Sequence, residues 1–153
     1  MSEVKEGDPA PAFELPTDGG GTISSAGLEG QPYVIYFYPK DDTPGCTRQA
    51  CAFRDSIQVI RKQGAEVYGI SQDSVESHKQ FISKHQLNFP LLADVKGEVS
   101  KRYEADGTFG FSKRWTFIVD PELKIRWVQK NVDPALNAKE VAAQLTSLQG
   151  PAK

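Results

Sequence analysis

The chain has no long hydrophobic run, no excess of either charge and almost no cysteine. Its longest apolar stretch, Tyr33-Val34-Ile35-Tyr36-Phe37-Tyr38, has the length of a strand, whereas ~20 residues are needed to cross a bilayer. No membrane span is expected. Lys plus Arg number 18 against 20 Asp plus Glu, which leaves no field of one sign to hold nucleic acid or an anionic membrane. Two cysteines, Cys46 and Cys51, are too few for a disulfide framework. No internal repeat, linker or low-complexity tract interrupts the chain. Gly19-Gly20-Gly21 is followed by Thr22-Ile23-Ser24 rather than by Gly-Lys-Ser/Thr, so these glycines read as a turn and not as a phosphate loop. The first residues, MSEVKEGDPAPAF, are acidic and lack an apolar segment, which fits neither a secretory signal nor a transit peptide. A cytoplasmic protein is expected.

What is present suits a globular α/β protein. The 153 residues are 39% hydrophobic and 25% charged, with a mean hydropathy of −0.46, and they are enough to enclose a core as one domain over residues 1–153. Phe13-Glu14-Leu15 alternates as an edge strand or hairpin would. Tyr33 to Tyr38 is β-branched and aromatic without polar alternation, the pattern of a central strand buried on both faces. Ala50, Phe53, Ile57 and Ile60 then recur at helical steps, with Thr43 as N-cap, Pro44 at the first helical position and Gly64 at the far end. The rhythm repeats with a strand over Glu66 to Ser71 and a helix over Val75 to His85 that turns Phe81 and Ile82 inward. Short elements follow at Phe89 to Ala93 and Val99 to Tyr103. Trp115 to Asp120 forms a hairpin with Ile125 to Val128 through Pro121-Glu122. Ala138, Val141, Leu145 and Leu148 mark a last helix, and Asn137 with Glu140 reads as a capping box at its start. A mixed central sheet flanked by helices is expected.

Cys46 falls at about the third position of its helix, where unpaired backbone N–H groups and the positive end of the helix dipole favour an anion. The thiolate is the form that attacks. A buried, inert cysteine has no reason to follow Thr-Pro-Gly at a helix start. The Thr43 hydroxyl can reach back toward the sulfur or what it attacks, and Pro39 would narrow the pocket. On an intact helix Cys46 and Cys51 are rotated by about 140°, with Cα atoms roughly 8 to 9 Å apart; a disulfide tolerates at most ~7 Å. If the pair is redox-active, oxidation must unwind the start of the helix. The Cys-x-x-Cys spacing of dithiol oxidoreductases is absent. A metal site would need further ligands, and His78 and His85 are placed on a separate surface helix.

The segment Pro39-Lys40-Asp41-Asp42-Thr43-Pro44-Gly45-Cys46-Thr47-Arg48-Gln49-Ala50-Cys51 closely resembles the active-site segment of peroxiredoxins, in particular the peroxiredoxin Q or bacterioferritin comigratory protein group. The likeness extends from Gly7-Asp8-Pro9-Ala10-Pro11-Ala12-Phe13 to Arg114-Trp115-Thr116-Phe117-Ile118-Val119-Asp120. It implies a thioredoxin-like fold and thiol-dependent reduction of hydrogen peroxide and organic hydroperoxides. By position it makes Cys46 the peroxidatic cysteine and Cys51 the resolving one, with Thr43 and Pro39 shaping the peroxide site and Arg114 as its second-strand arginine. The implied cycle forms a Cys46 sulfenic acid, then a Cys46–Cys51 disulfide, which thioredoxin or a similar dithiol reduces. No metal or cofactor is expected. Since the chain stops at Lys153 soon after its last helix, a monomer is expected. Arg48 and Arg54 read as solvated charges, and Trp115 and Trp127 as packing aromatics, Trp115 standing beside Arg114 where it can border the pocket. Two other readings use the same cysteine pair: a dithiol disulfide reductase, and a peroxide sensor that signals by unwinding its helix.

Overall fold

Residues 4–149 are described by the structure, a computed structural model. The expectations that rest on Met1 to Glu3 and on the tail ending at Lys153 lie outside the described residues. Strands β1 (Glu14–Pro16) and β2 (Thr22–Ser24) pair as an antiparallel hairpin with Leu15 opposite Ile23. Strand β3 (Tyr33–Phe37) is buried at all of its positions, as its unbroken apolar run requires. Helix α1 (Pro44–Lys62) follows and buries Ala50, Phe53, Ile57 and Ile60 on one face. Removing a ring such as that of Phe53 costs about 3–5 kcal/mol in a core of this kind. Arg61 and Lys62 sit in its last turn, where cations complement the dipole. Just beyond, Gly64 takes a φ of +84°, the left-handed turn that glycine makes at little cost.

Strand β4 (Glu66–Ser71), helix α2 (Val75–His85), strand β5 (Leu91–Ala93) and helix α3 (Glu98–Arg102) come next. Strands β6 (Thr116–Val119) and β7 (Ile125–Gln129) form the second hairpin, and helix α4 (Asn137–Gln149) closes the described chain. The main sheet runs β5-β4-β3-β6-β7, with β3 at its centre. Strands β4 and β5 run parallel to β3, while β6 is antiparallel to it and to β7.

Period-two alternation splits the core across the two faces of the sheet. Val34 and Tyr36 join the cluster with α1, α4 and Phe81. Tyr33, Ile35 and Phe37 join the opposite cluster, together with Phe13, Leu15, Val99 and Tyr103. Among the described residues no helix is long and apolar enough to cross a membrane.

Two local expectations are corrected. Asn137 does not start a capping box, because Asp133 serves the first turn instead: its carbonyl accepts from the Asn137 backbone N–H at 2.9 Å and its carboxylate from that of Ala135 at 2.9 Å. The Asn137 side chain is buried and engaged elsewhere. His78 is not a surface histidine. It lies on the same face of α2 as Phe81 and is fully enclosed, with Nδ1 at 2.7 Å from Asp41 Oδ2 and Nε2 at 2.9 Å from the Leu92 carbonyl.

Candidate active site

Sheet pairing determines where the site forms. Strand β3 ends where its chain enters the loop to α1, and antiparallel pairing sets Tyr36 against Thr116, the first residue of β6. The Phe37 N–H donates to the Trp115 carbonyl at 2.8 Å. Arg114, one residue further, is thereby delivered to the N-terminus of α1.

Thr43 has extended backbone angles and Pro44 begins the helix, which puts Cys46 at the third helical position. Cys46 is 1% exposed. Gly45, unfavourable in a helix by about 1 kcal/mol, has a spatial reason to be there: a Cβ on it would lie 3.1 Å from Arg114 Nη2. The guanidinium passes over that bare backbone, and Nη2 donates to Cys46 Sγ at 3.4 Å. Nη1 donates to Gln49 Oε1 at 2.7 Å. One planar cation thus bridges the thiol and a side chain one helical turn away.

Of the remaining candidates, Thr43 is the residue before the helix, its hydroxyl donating to the Lys40 carbonyl at 3.0 Å instead of capping the helix or reaching the sulfur. Pro39, half-buried, opens the loop. Cys51, also half-buried, and Cys46 are both free thiols on one unbroken helix, which spaces their Cα atoms about 8.7 Å apart. Arg48 is exposed, as expected, whereas Arg54 donates to the His85 carbonyl at 2.7 Å.

The loop before α1 is held firmly to α2. Asp41 accepts from the Tyr38 hydroxyl at 2.6 Å and from Ser77 at 2.8 Å, besides meeting His78. Burial and the neighbouring Asp41 carboxylate push the Tyr38 phenol well above its ordinary range. Asp42, at a φ of 61°, meets Lys84 at 2.7 Å and His85 at 3.0 Å. Hydrogen bonds from those two groups hold its carboxyl below the usual range.

Sequence reasoning missed Gln49 and Asn137. Gln49 Nε2 donates to Asn137 Oδ1 at 2.9 Å, and both side chains are fully buried. The available signal was that Gln49 shares the inward face of α1 with Cys46, Ala50 and Phe53. Outside the thiol, Arg114 and Trp115 border an open groove with Arg48, Lys113, Lys130 and Asp133. The Lys113 and Lys130 ammoniums each lie 4.6 Å from the Trp115 ring centroid, within cation–π range. A more enclosed hollow of about 340 Å³ lies at the other end of α1, by Gln63, Leu145 and Leu148. It contains neither cysteine.

Residues 6–128 match the AhpC/TSA family. The chain belongs to that family. Within it, a chloroplastic peroxiredoxin Q of Populus jackii is 40% identical over 151 residues, 97% of this chain and 71% of that protein. A putative peroxiredoxin bcp of Coxiella burnetii (strain RSA 493 / Nine Mile phase I) is 41% identical over 149 residues, 93% of this chain and 99% of that one. Among solved structures, peroxidoxin BcpB from Mycobacterium tuberculosis superposes with a TM-score of 0.88 at 32% identity, covering 95% of this chain and 99% of that one. The bacterioferritin comigratory protein of Xanthomonas campestris gives a TM-score of 0.87 at 30% identity, with 94% and 99% covered. The mixed sheet and its helices are therefore the thioredoxin-like fold of AhpC/TSA peroxiredoxins. This AhpC/TSA chain is a thiol peroxidase of the peroxiredoxin Q and bcp kind.

Proposed function

We propose that this peroxiredoxin reduces hydrogen peroxide and organic hydroperoxides at Cys46 and resolves the product with Cys51. The observation that carries the reading is the Arg114 guanidinium, 3.4 Å from a sulfur at the head of a helix. The Cys46 thiolate attacks one peroxide oxygen, an S–O bond forms and the O–O bond breaks. The departing oxygen carries the electron pair and takes up a proton to leave as water or alcohol. Arg114 and the N–H groups of the first turn stabilise charge on that oxygen as it develops. Pro39 and Thr43 shape the entrance.

Cys46 is left as a sulfenic acid. The Cys51 thiol attacks its sulfur, an S–S bond forms, the S–O bond breaks and water leaves. With the two residues on one helix, this step requires the start of α1 to unwind. An external dithiol of the thioredoxin type then reduces the disulfide by exchange and is itself oxidised. A cytoplasmic location suits two thiols that must be returned to the reduced state, and since both cysteines of the cycle lie on one chain a monomer suffices for it.

The test is peroxide consumption by the reduced protein in the presence of thioredoxin and its reductase. Continuous turnover is expected. A dithiol reductase would leave peroxide intact, and a sensor would consume one equivalent and stop.

A further inference from the structure

Arg114 stands at one end of a line of buried and half-buried side chains that leads to Glu140. Gln49 Oε1 accepts from Arg114 at 2.7 Å, and Gln49 Nε2 donates to Asn137 Oδ1 at 2.9 Å. Asn137 Oδ1 also accepts from the Thr116 hydroxyl at 3.1 Å, and Asn137 Nδ2 donates to Gln129 Oε1 at 2.8 Å. Gln129 Nε2 donates to Glu140 Oε1 at 2.9 Å. Gln49, Thr116 and Asn137 are all completely buried.

The line has a direction. A guanidinium can only donate and a carboxylate can only accept, whereas each amide has one end of each kind. With Arg114 at one end and Glu140 at the other, a single arrangement pairs every group: each amide turns its oxygen toward Arg114 and its nitrogen toward Glu140. Reversing Asn137 would set its NH₂ against that of Gln49 and leave the Thr116 hydroxyl without its acceptor. An unpaired buried group costs more than a typical bond gains, so the ends fix the middle. The partners sit on α1, α4 and the β6–β7 hairpin, rigid elements that converge behind the guanidinium.

We propose that Asn137 is a positioning residue for the peroxide step, orienting Gln49 so that its oxygen holds Arg114 against the Cys46 sulfur. The inference rests on the peroxidase reading and extends it to side chains that touch neither sulfur nor peroxide. Asn137→Leu keeps the volume and removes the acceptor for Gln49 and Thr116. Asn137→Asp keeps that acceptor.

The experiment compares the second-order rate constants of reduced Cys46 with hydrogen peroxide and with iodoacetamide, in the parent, Asn137→Leu and Asn137→Asp. Alkylation builds no charge on an oxygen that Arg114 must stabilise, so in variants whose circular dichroism and cooperative melting match the parent's, which keeps Cys46 as buried as in the parent, the ratio of the two rates reports the placement of the guanidinium. The ratio is expected to fall at least about tenfold in Asn137→Leu, since small misplacement of a catalytic group has effects of that order. Asn137→Asp should stay within about threefold of the parent, because its oxygen still accepts from Gln49. Should Asn137→Leu not fold, Asn137→Ala, which removes the same acceptor for Gln49 and Thr116 with less bulk, serves in its place with the same expected fall and is judged by the same outcomes.

A parent selective for peroxide whose leucine variant keeps the same ratio would overturn the positioning role alone. So would equal losses in the leucine and aspartate variants. A parent that reacts no faster with peroxide than with iodoacetamide would overturn the peroxidase reading and the positioning role together.

Discussion

Arg114 and Cys46, 68 positions apart in the chain, meet at 3.4 Å because β6 runs antiparallel to β3 and begins where β3 ends. Arg114 lies two residues before β6, next to Trp115, whose carbonyl accepts from the Phe37 N–H at 2.8 Å and so ties the approach to the sheet. Gly45 leaves the space that lets the guanidinium reach the sulfur.

Arg114→Ala is therefore expected to lower the rate of Cys46 oxidation by hydrogen peroxide by about 10²-fold or more, the usual loss when one preorganised donor to a developing oxyanion is removed. Arg114→Lys should recover little of it, since an ammonium cannot bridge Cys46 and Gln49 as the guanidinium fork does. Stopped-flow kinetics under single-turnover conditions measure both.

Gly45→Ala separates activity from stability. Alanine is about 1 kcal/mol better than glycine in a helix, but its Cβ would stand 3.1 Å from Arg114 Nη2 and push the guanidinium aside. The melting temperature should hold or rise while the peroxide rate falls by about threefold or more. A faster enzyme would mean that the guanidinium gives way without cost.

Much of this arrangement is legible in the sequence, and what is not has a common cause. Thr43-Pro44-Gly45-Cys46 announces a helix start with a sulfur in its first turn, and the apolar run from Tyr33 announces the strand that leads there. Both signals are local. The bond from Gln49 to Asn137 joins residues 88 positions apart, and no periodicity encodes which buried amide faces which. The Asn137 and Glu140 spacing imitates a capping box because those residue types serve either purpose; Asp133, four positions before Asn137, took the capping role. His78 was readable in principle, since it precedes Phe81 by three on α2 and so shares its inward face. Its partner Asp41, on a loop from another part of the chain, was not.

Oxidation should cost helix. While α1 is intact the two sulfurs cannot bond, so complete Cys46–Cys51 disulfide formation should lower the helical far-ultraviolet circular dichroism without loss of the cooperative thermal transition. Dithiothreitol should restore the signal. An unchanged spectrum in the fully oxidised protein would contradict the unwinding.

Alkali should reach most of the tyrosines only as the fold opens. Burial, with neighbouring negative groups adding to it, raises all five phenols above the ordinary 10.0. Folded pKa values above unfolded ones mean that this contribution to stability is complete below about pH 10 and lost as pH climbs further. For Tyr33, Tyr36, Tyr38 and Tyr103, whose shifts are large, tyrosinate absorbance should therefore rise in step with loss of helical dichroism.

The central assignment is that Cys46 takes the oxygen and Cys51 removes it. Intact-protein mass spectrometry after one equivalent of hydrogen peroxide tests it in the parent, Cys46→Ser and Cys51→Ser. Cys51→Ser should gain one oxygen, on Cys46, and Cys46→Ser none, while the parent should lose two hydrogens to the disulfide. Oxygen appearing on Cys51 in the Cys46→Ser protein as fast as on Cys46 in the other variant would contradict the account.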